Sequence, residues 1–316
     1  MRCQRIHFSG WGASIVILLF QMLPATLHSQ AADGKTLASV ERAFAASRGE
    51  RIYTRACVPC HGVKGDGKGP FSTPLSPKPR DFTSGKFKFR TTLARSLPSD
   101  QDVFKTISEG VPGTFMPAWE DLLSERDRMD LVQYIKTFSK RFSDPRLSVE
   151  PINVSNAVPP SEVSIARGRE VYEKIECIKC HGNQGRGNGP SAKDLEDDWG
   201  YALRPPDLTR SWTFKGGTAR EDIYCRFMSG LSGTPMPSVA ESFVLDEEVE
   251  EIQIKIEDGE EVTPEERQKY DEAMEEIRQS IWHLTNYVKS LSRKPGLFYQ
   301  LFVEDTEVTK ARSVKK

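Results

Sequence analysis

A pair of thiols closed by an imidazole occurs twice in this chain, and no other feature constrains its fold as tightly. The two copies are Cys57-Val58-Pro59-Cys60-His61 and Cys177-Ile178-Lys179-Cys180-His181, 120 residues apart. The other two cysteines, Cys3 and Cys225, stand alone. A spacing of three puts both sulfurs of each motif on one side of a single helical turn, with the histidine directly after the second. A structural zinc site would need a second Cys or His pair at short range, and neither motif has one nearby. A thioredoxin-like dithiol opens a helix within a strand–helix–strand unit, and the flanking sequence is poor in strand formers. Covalent haem attachment uses this spacing. Two thiols reach the two vinyl groups on one porphyrin edge, and the adjacent histidine turns under the ring to ligate iron.

The same offset recurs elsewhere, as a repeat requires. Gly62, Gly65, Gly67, Gly69 and Pro70 return as Gly182, Gly185, Gly187, Gly189 and Pro190; Asp102 and Gly110 return as Asp222 and Gly230. Gly113-Thr114-Phe115-Met116-Pro117 returns as Gly233-Thr234-Pro235-Met236-Pro237. A lone methionine is core filler, but two at one distance from two haem motifs are candidate axial ligands opposite His61 and His181. Thioether ligation opposite histidine raises the potential of the iron. Pro117 and Pro237 would hold each methionine in extended backbone. The glycine-rich loops match no phosphate-binding pattern and suit close backbone approach to a haem edge.

A chain of 316 residues, 37% apolar and 28% charged, can bury two ordinary domains. Its formal net charge of −1 leaves no excess of cations for a polyanion, so nucleic acid is not an expected partner. Arg2 and Arg5 precede an apolar run from Ala13 to Leu23 and then small residues, as in an export signal cleaved near Ala31 or Ala32. The run is shorter than the roughly 20 residues that span a bilayer; an uncleaved N-terminal anchor is the alternative.

Helical patterns are expected over 37–55, 100–109 and 124–138 in the first half, and over 164–176, 220–228 and 277–291 in the second. Ser124 is the expected N-cap of the first closing helix. The stretch 144–160, with four prolines, reads as an extended linker between domains at 36–143 and 161–294, with a C-terminal tail at 295–316. Two segments of the second half lack counterparts. One is a short expansion at 197–202. The other, 244–276, is dominated by Asp and Glu and reads as a solvated excursion, with a docking surface for a basic partner as the alternative. Arg80, Lys88, Arg90, Arg204 and Lys215 are candidates for bonds to haem propionates. Cys225 and His283 have no ligand role by symmetry, since Lys105 and Asp130 occupy their places in the first half.

These residues resemble the class I cytochromes c, and the tandem arrangement is similar to dihaem cytochromes in which two such domains are fused. The likeness implies a mainly α fold, two covalently attached haem c groups, periplasmic location and one-electron transfer between a donor and an acceptor protein. The stretch Pro79-Arg80-Asp81-Phe82-Thr83 through Lys86-Phe87-Lys88-Phe89-Arg90 is similar to cytochromes that accompany periplasmic molybdenum oxidoreductases. Association with a membrane or a respiratory complex leaves the haem chemistry unchanged. A dihaem peroxidase is the rival reading, because it too carries two Cys-x-x-Cys-His motifs. A peroxidase needs a vacant iron position, however, and here a methionine is matched to each motif.

Overall fold

A computed structural model of the chain describes residues 34–293. The proposed export signal, Cys3 and the tail from Lys294 lie outside the described residues. The chain divides after Ser39, and the unit from Val40 onward holds both motifs. Among the described residues regular structure is helical, and β pairing is confined to two isolated bridges, Thr92 with Pro151 and Glu196 with Ala202.

The first half contains α1 (Gly34–Ala56), α2 (Val58–His61), α3 (Asp100–Glu109) and α4 (Glu125–Lys136); the second contains α5 (Glu162–Lys174), α6 (Ile178–His181), α7 (Arg220–Ser229), α8 (Glu247–Asp258) and α9 (Pro264–Ser290). Local chemistry explains the ends. Ser99 and Asp102 form a reciprocal capping box at α3, as do Thr263 and Glu266 at α9, where Pro264 supplies a pre-set first residue. Ser124 caps α4 and Ser161 caps α5.

In each half the helix leading into the motif crosses the closing helix at a glycine. A Cβ on Gly49 would overlap the carbonyl of Asp130, and one on Gly168 would overlap that of His283, so the backbones touch where any other residue would separate them. Around the crossings lie two cores. Tyr53, Phe82, Val103, Leu131, Val132 and Ile135 fill the first. The second is larger, built on Tyr172, Ile223, Tyr224, Ile281, Trp282 and Leu284, with the Tyr224 and Trp282 rings stacked at 4.1 Å.

Two expectations need correction. The stretch 144–160 is extended but is no free spacer. Leu93 and Leu97 donate to the carbonyls of Glu150 and Ser148, Ile152 donates to Thr91, and the Ile152 side chain is buried in the second core. The acidic stretch is likewise folded rather than a solvated excursion. Val249, Ile252 and Ile256 recur at helical spacing, Val249 and Ile252 are buried, and α8 packs along α9. Lys255–Glu266 (2.6 Å) and Lys269–Glu248 tie the two helices together. The closing helix therefore begins at Pro264, not at 277, and the carboxylates occupy its wetter face.

Candidate functional site

Both motifs are built alike. His61 N–H donates to the Cys57 carbonyl at 2.8 Å, and His181 N–H to that of Cys177 at 2.9 Å, which closes one helical turn in each half. None of the four cysteines is in a disulfide. Burial pushes the Cys57 and Cys177 thiols up to about 12, the opposite direction to the activated thiol of a dithiol redox pair. Among the described residues no group of three or more His, Cys, Asp or Glu side chains converges on a metal position, so a zinc centre is not assembled.

Each imidazole is oriented by a carbonyl. Nδ1 of His61 lies 3.1 Å from the Arg80 carbonyl oxygen, and Nδ1 of His181 lies 3.3 Å from that of Pro206. A carbonyl only accepts, so each Nδ1 carries the proton and each Nε2 presents its lone pair. Burial lowers the pKa of both rings, favouring the neutral form that ligates metal. The His61 ring also stacks on Phe82 at 4.6 Å; the corresponding residue in the second half is Leu208.

The tyrosines at the end of the leading helices were not singled out from sequence. Tyr53 Oη donates to the Gly62 carbonyl at 2.8 Å and Tyr172 Oη to that of Gly182 at 2.7 Å, pinning the chain just beyond each histidine. They escape a strict 120-residue search because Glu176, in left-handed backbone at φ +61°, adds one residue between helix and motif.

The glycine loops wrap the motifs. Gly62, Gly65 and Gly67 have φ of +77°, +68° and +73°, and Gly182, Gly185 and Gly187 have +75°, +68° and +69°. Gly67 and Gly187 donate to the carbonyls of His61 and His181, and Gly69 and Gly189 to those of Cys60 and Cys180. Those N–H groups are consumed, so the loops are not phosphate cradles. The methionine loops also coincide. Met116 N–H donates to Thr114 Oγ1 at 3.1 Å while Val111 donates to the Met116 carbonyl at 3.0 Å; Met236, Thr234 and Leu231 repeat this at 3.3 and 3.0 Å.

Haem fits what these residues offer: two unbridged thiols on one helical turn, an imidazole with a free Nε2, and a methionine on a repeated loop. The cationic candidates divide. Lys88 is held down to about 8, chiefly by burial, and Lys215 is lowered by the same cause; half-buried ammonium groups of this kind suit a propionate. Arg90 is already engaged with the carbonyls of Ser96 and Ser229, Arg204 is exposed, and the Arg80 guanidinium lies over the Trp199 ring.

Residues 44–135 match the family described as cytochrome c oxidase, cbb3-type, subunit III, and residues 165–292 match the family described as cytochrome c. A solved chain from the Kuenenia stuttgartiensis reducing HAO-like protein complex Kustc0457/Kustc0458 shares 39% identity, with a TM-score of 0.64 over 78% of this chain and 96% of its own. This chain belongs to the cytochromes c. It is a tandem, mainly helical member with one such domain in each half, and this membership implies covalently bound haem c and electron transfer. No curated protein matches it. Among the described residues of this cytochrome, no helix is long and apolar enough to cross a membrane.

Cys225, in the middle of α7, is buried and packs in the second core. His283 does not approach the motif; its Nδ1 lies 2.8 Å from Ser164 Oγ at the helix crossing where the first half has the Arg48–Asp130 ion pair.

Proposed function

We propose that this cytochrome is an exported, periplasmic dihaem electron carrier that works as a subunit of, or docked to, a larger redox complex, and is not itself an enzyme. Haem, when bound, supplies an iron that accepts and returns one electron. The protein holds it: Cys57 and Cys60, and Cys177 and Cys180, would form the thioether links, while His61 and His181, oriented by Arg80 and Pro206, would ligate from one side. Met116 and Met236 would close the other. The observation that carries the reading is the shared geometry of the two methionine loops, which would offer each iron a thioether where a peroxidase needs an open position. The complex-bound role is supported by the solved relative, which comes from a protein complex.

The processed protein should exceed its polypeptide mass by two haems. Both irons should be six-coordinate and low-spin as isolated, and the reduced protein should bind carbon monoxide poorly. A single haem, or a high-spin haem that turns over peroxide, would overturn the carrier reading. Isolation of the native protein should bring down a redox partner; recovery as a lone monomer in every fraction would remove the complex.

A further inference from the structure

The short expansion in the second half reaches across to the first. Asp197 closes it, its carboxylate accepting from the backbone N–H groups of Trp199 and Tyr201, both at 3.0 Å. The turn presents an indole to the other half. Trp199 Nε1 donates to Asp81 Oδ2 at 3.1 Å, and the Arg80 guanidinium sits over the ring at 4.9 Å. Lys86 pairs with Asp198 beside it. The same loop grips the second methionine loop: Asp198 N–H donates to the Gly233 carbonyl at 3.2 Å. The indole also lies so close to Gly233 that a Cβ there would come within 2.7 Å of Trp199 Cζ3.

On the first-half side, Arg80 is the residue whose carbonyl accepts from His61 Nδ1. A continuous series of covalent and hydrogen bonds therefore runs from His61 through Arg80, Asp81 and Trp199 to Gly233, three residues before Met236. It joins the imidazole ligand of one crevice to the thioether loop of the other. A cleft between the halves here is bounded by Arg80, Lys88, Asp197 and Trp199 among others. Repeat symmetry does not demand the arrangement, because nothing lies within 4 Å of where a Cβ on Gly113 would be.

We propose that the Trp199 loop is the coupling bridge of the molecule: it carries one-electron exchange between the two haem sites and fixes the crevices in the relation that exchange requires. The inference rests on both haems being bound as read above. In each exchange one iron passes from Fe(II) to Fe(III) while the other passes from Fe(III) to Fe(II). No bond is made or broken and no proton moves. Tunnelling along bonds and hydrogen bonds is faster than across gaps, so a bridge of this kind shortens the effective distance without bringing the two porphyrins into contact.

The test uses the full processed protein with both haems. An electron is delivered by pulse radiolysis and its redistribution between the haems is followed, while haem content, spin state and the two midpoint potentials are measured alongside. Trp199→Ala should slow redistribution about tenfold, the effect of about 1.4 kcal/mol on a barrier, with two low-spin haems and unchanged potentials, which a purely structural role for the indole would not produce. Trp199→Phe keeps a ring against Gly233 but removes the N–H. A slowed Phe variant assigns the coupling to the bond with Asp81. A normal Phe variant beside a slowed, spectrally intact Ala variant assigns it to the ring contact.

Redistribution within about twofold of the parent in both variants would overturn the proposal. So would a normal Phe variant if the Ala variant has lost Met236 ligation, since the slowing would then be structural. A parent protein with fewer than two haems would instead defeat the two-haem reading, a failure that the haem content separates from this one.

Discussion

Gly113 and Gly233 hold the same place in two loops of the same geometry, yet one stands open and the other is walled in. Gly113 has empty space beyond it, and its neighbour Phe115 is 71% exposed. Gly233 is buried beneath Trp199 and Arg80. Around the first motif Val63 and Phe71 are also exposed, whereas their counterparts Asn183 and Ser191 are polar or half-buried. The repeat has thus copied the covalent attachment and the ligand loops but not their surroundings. Surroundings set what an iron does once it is ligated, because water and nearby dipoles stabilise the oxidised, more positive state. The first methionine loop stands open on the side where the second is covered. The second is turned toward the first.

The largest expected effect is on the irons themselves. A redox titration should resolve two steps, with the shielded second haem at the higher potential. Met236→Ala should lower the upper step and open that haem alone to carbon monoxide, and Met116→Ala should do the same to the lower step. Nearly independent shifts are expected, since separate sites usually add. One merged step in the parent, or a Met236→Ala variant with unaltered spectra at both haems, would erase the difference between the halves.

Next in size is the hairpin that only the second half possesses. Ile252 is 2% exposed on α8, so Ile252→Ala should cost about 3 kcal/mol, in the usual range for buried Ile truncation. Equilibrium denaturation measures it. A loss below about 0.5 kcal/mol, the typical surface value, would return the acidic segment to a solvated excursion.

The smallest effect concerns α3 and α7. Asp102 accepts from Ser99 N–H and from both the N–H and hydroxyl of Thr91, while Ser99 caps Asp102 in return. Asp222 accepts from Ala219 N–H, and alanine has no oxygen with which to reciprocate. Ser99→Ala should therefore cost about 1 kcal/mol, and Ala219→Ser should add a similar or smaller amount, both read from thermal melts. Equal and opposite absence of effect would mean that tertiary packing, not capping, sets both helix ends.

Much of this was legible in the sequence because covalent chemistry demands fixed spacing. The thiol pairs, the histidines, the methionine loops and the principal helices other than α8 and the first half of α9 follow from local pattern. Repeat logic failed where the two copies drifted. Glu176 shifts Tyr172 out of register with Tyr53, and the hairpin displaces the closing helix by thirty-three residues relative to the motif. It also failed for residues whose partners lie across the interface. Read one half at a time, the sequence does not show that Arg90 reaches the Ser229 carbonyl or that Arg80 lies over the Trp199 ring, both in the other half. Amphipathic spacing in α8 was present in Val249, Ile252 and Ile256, but the surrounding carboxylates obscured it.

The strip that joins the halves also limits how the molecule can be taken apart. Cutting after Ser143 would strip the edge of Thr91–Leu97 of its backbone partners, whereas cutting after Pro160 would take Ile152 out of the second core. The two halves share this strip, so neither is a transferable module without it. A single-haem carrier is therefore not to be obtained by deleting half of the gene. Swapping this protein's haem sites into another scaffold would mean moving both together, with the connecting strip between them.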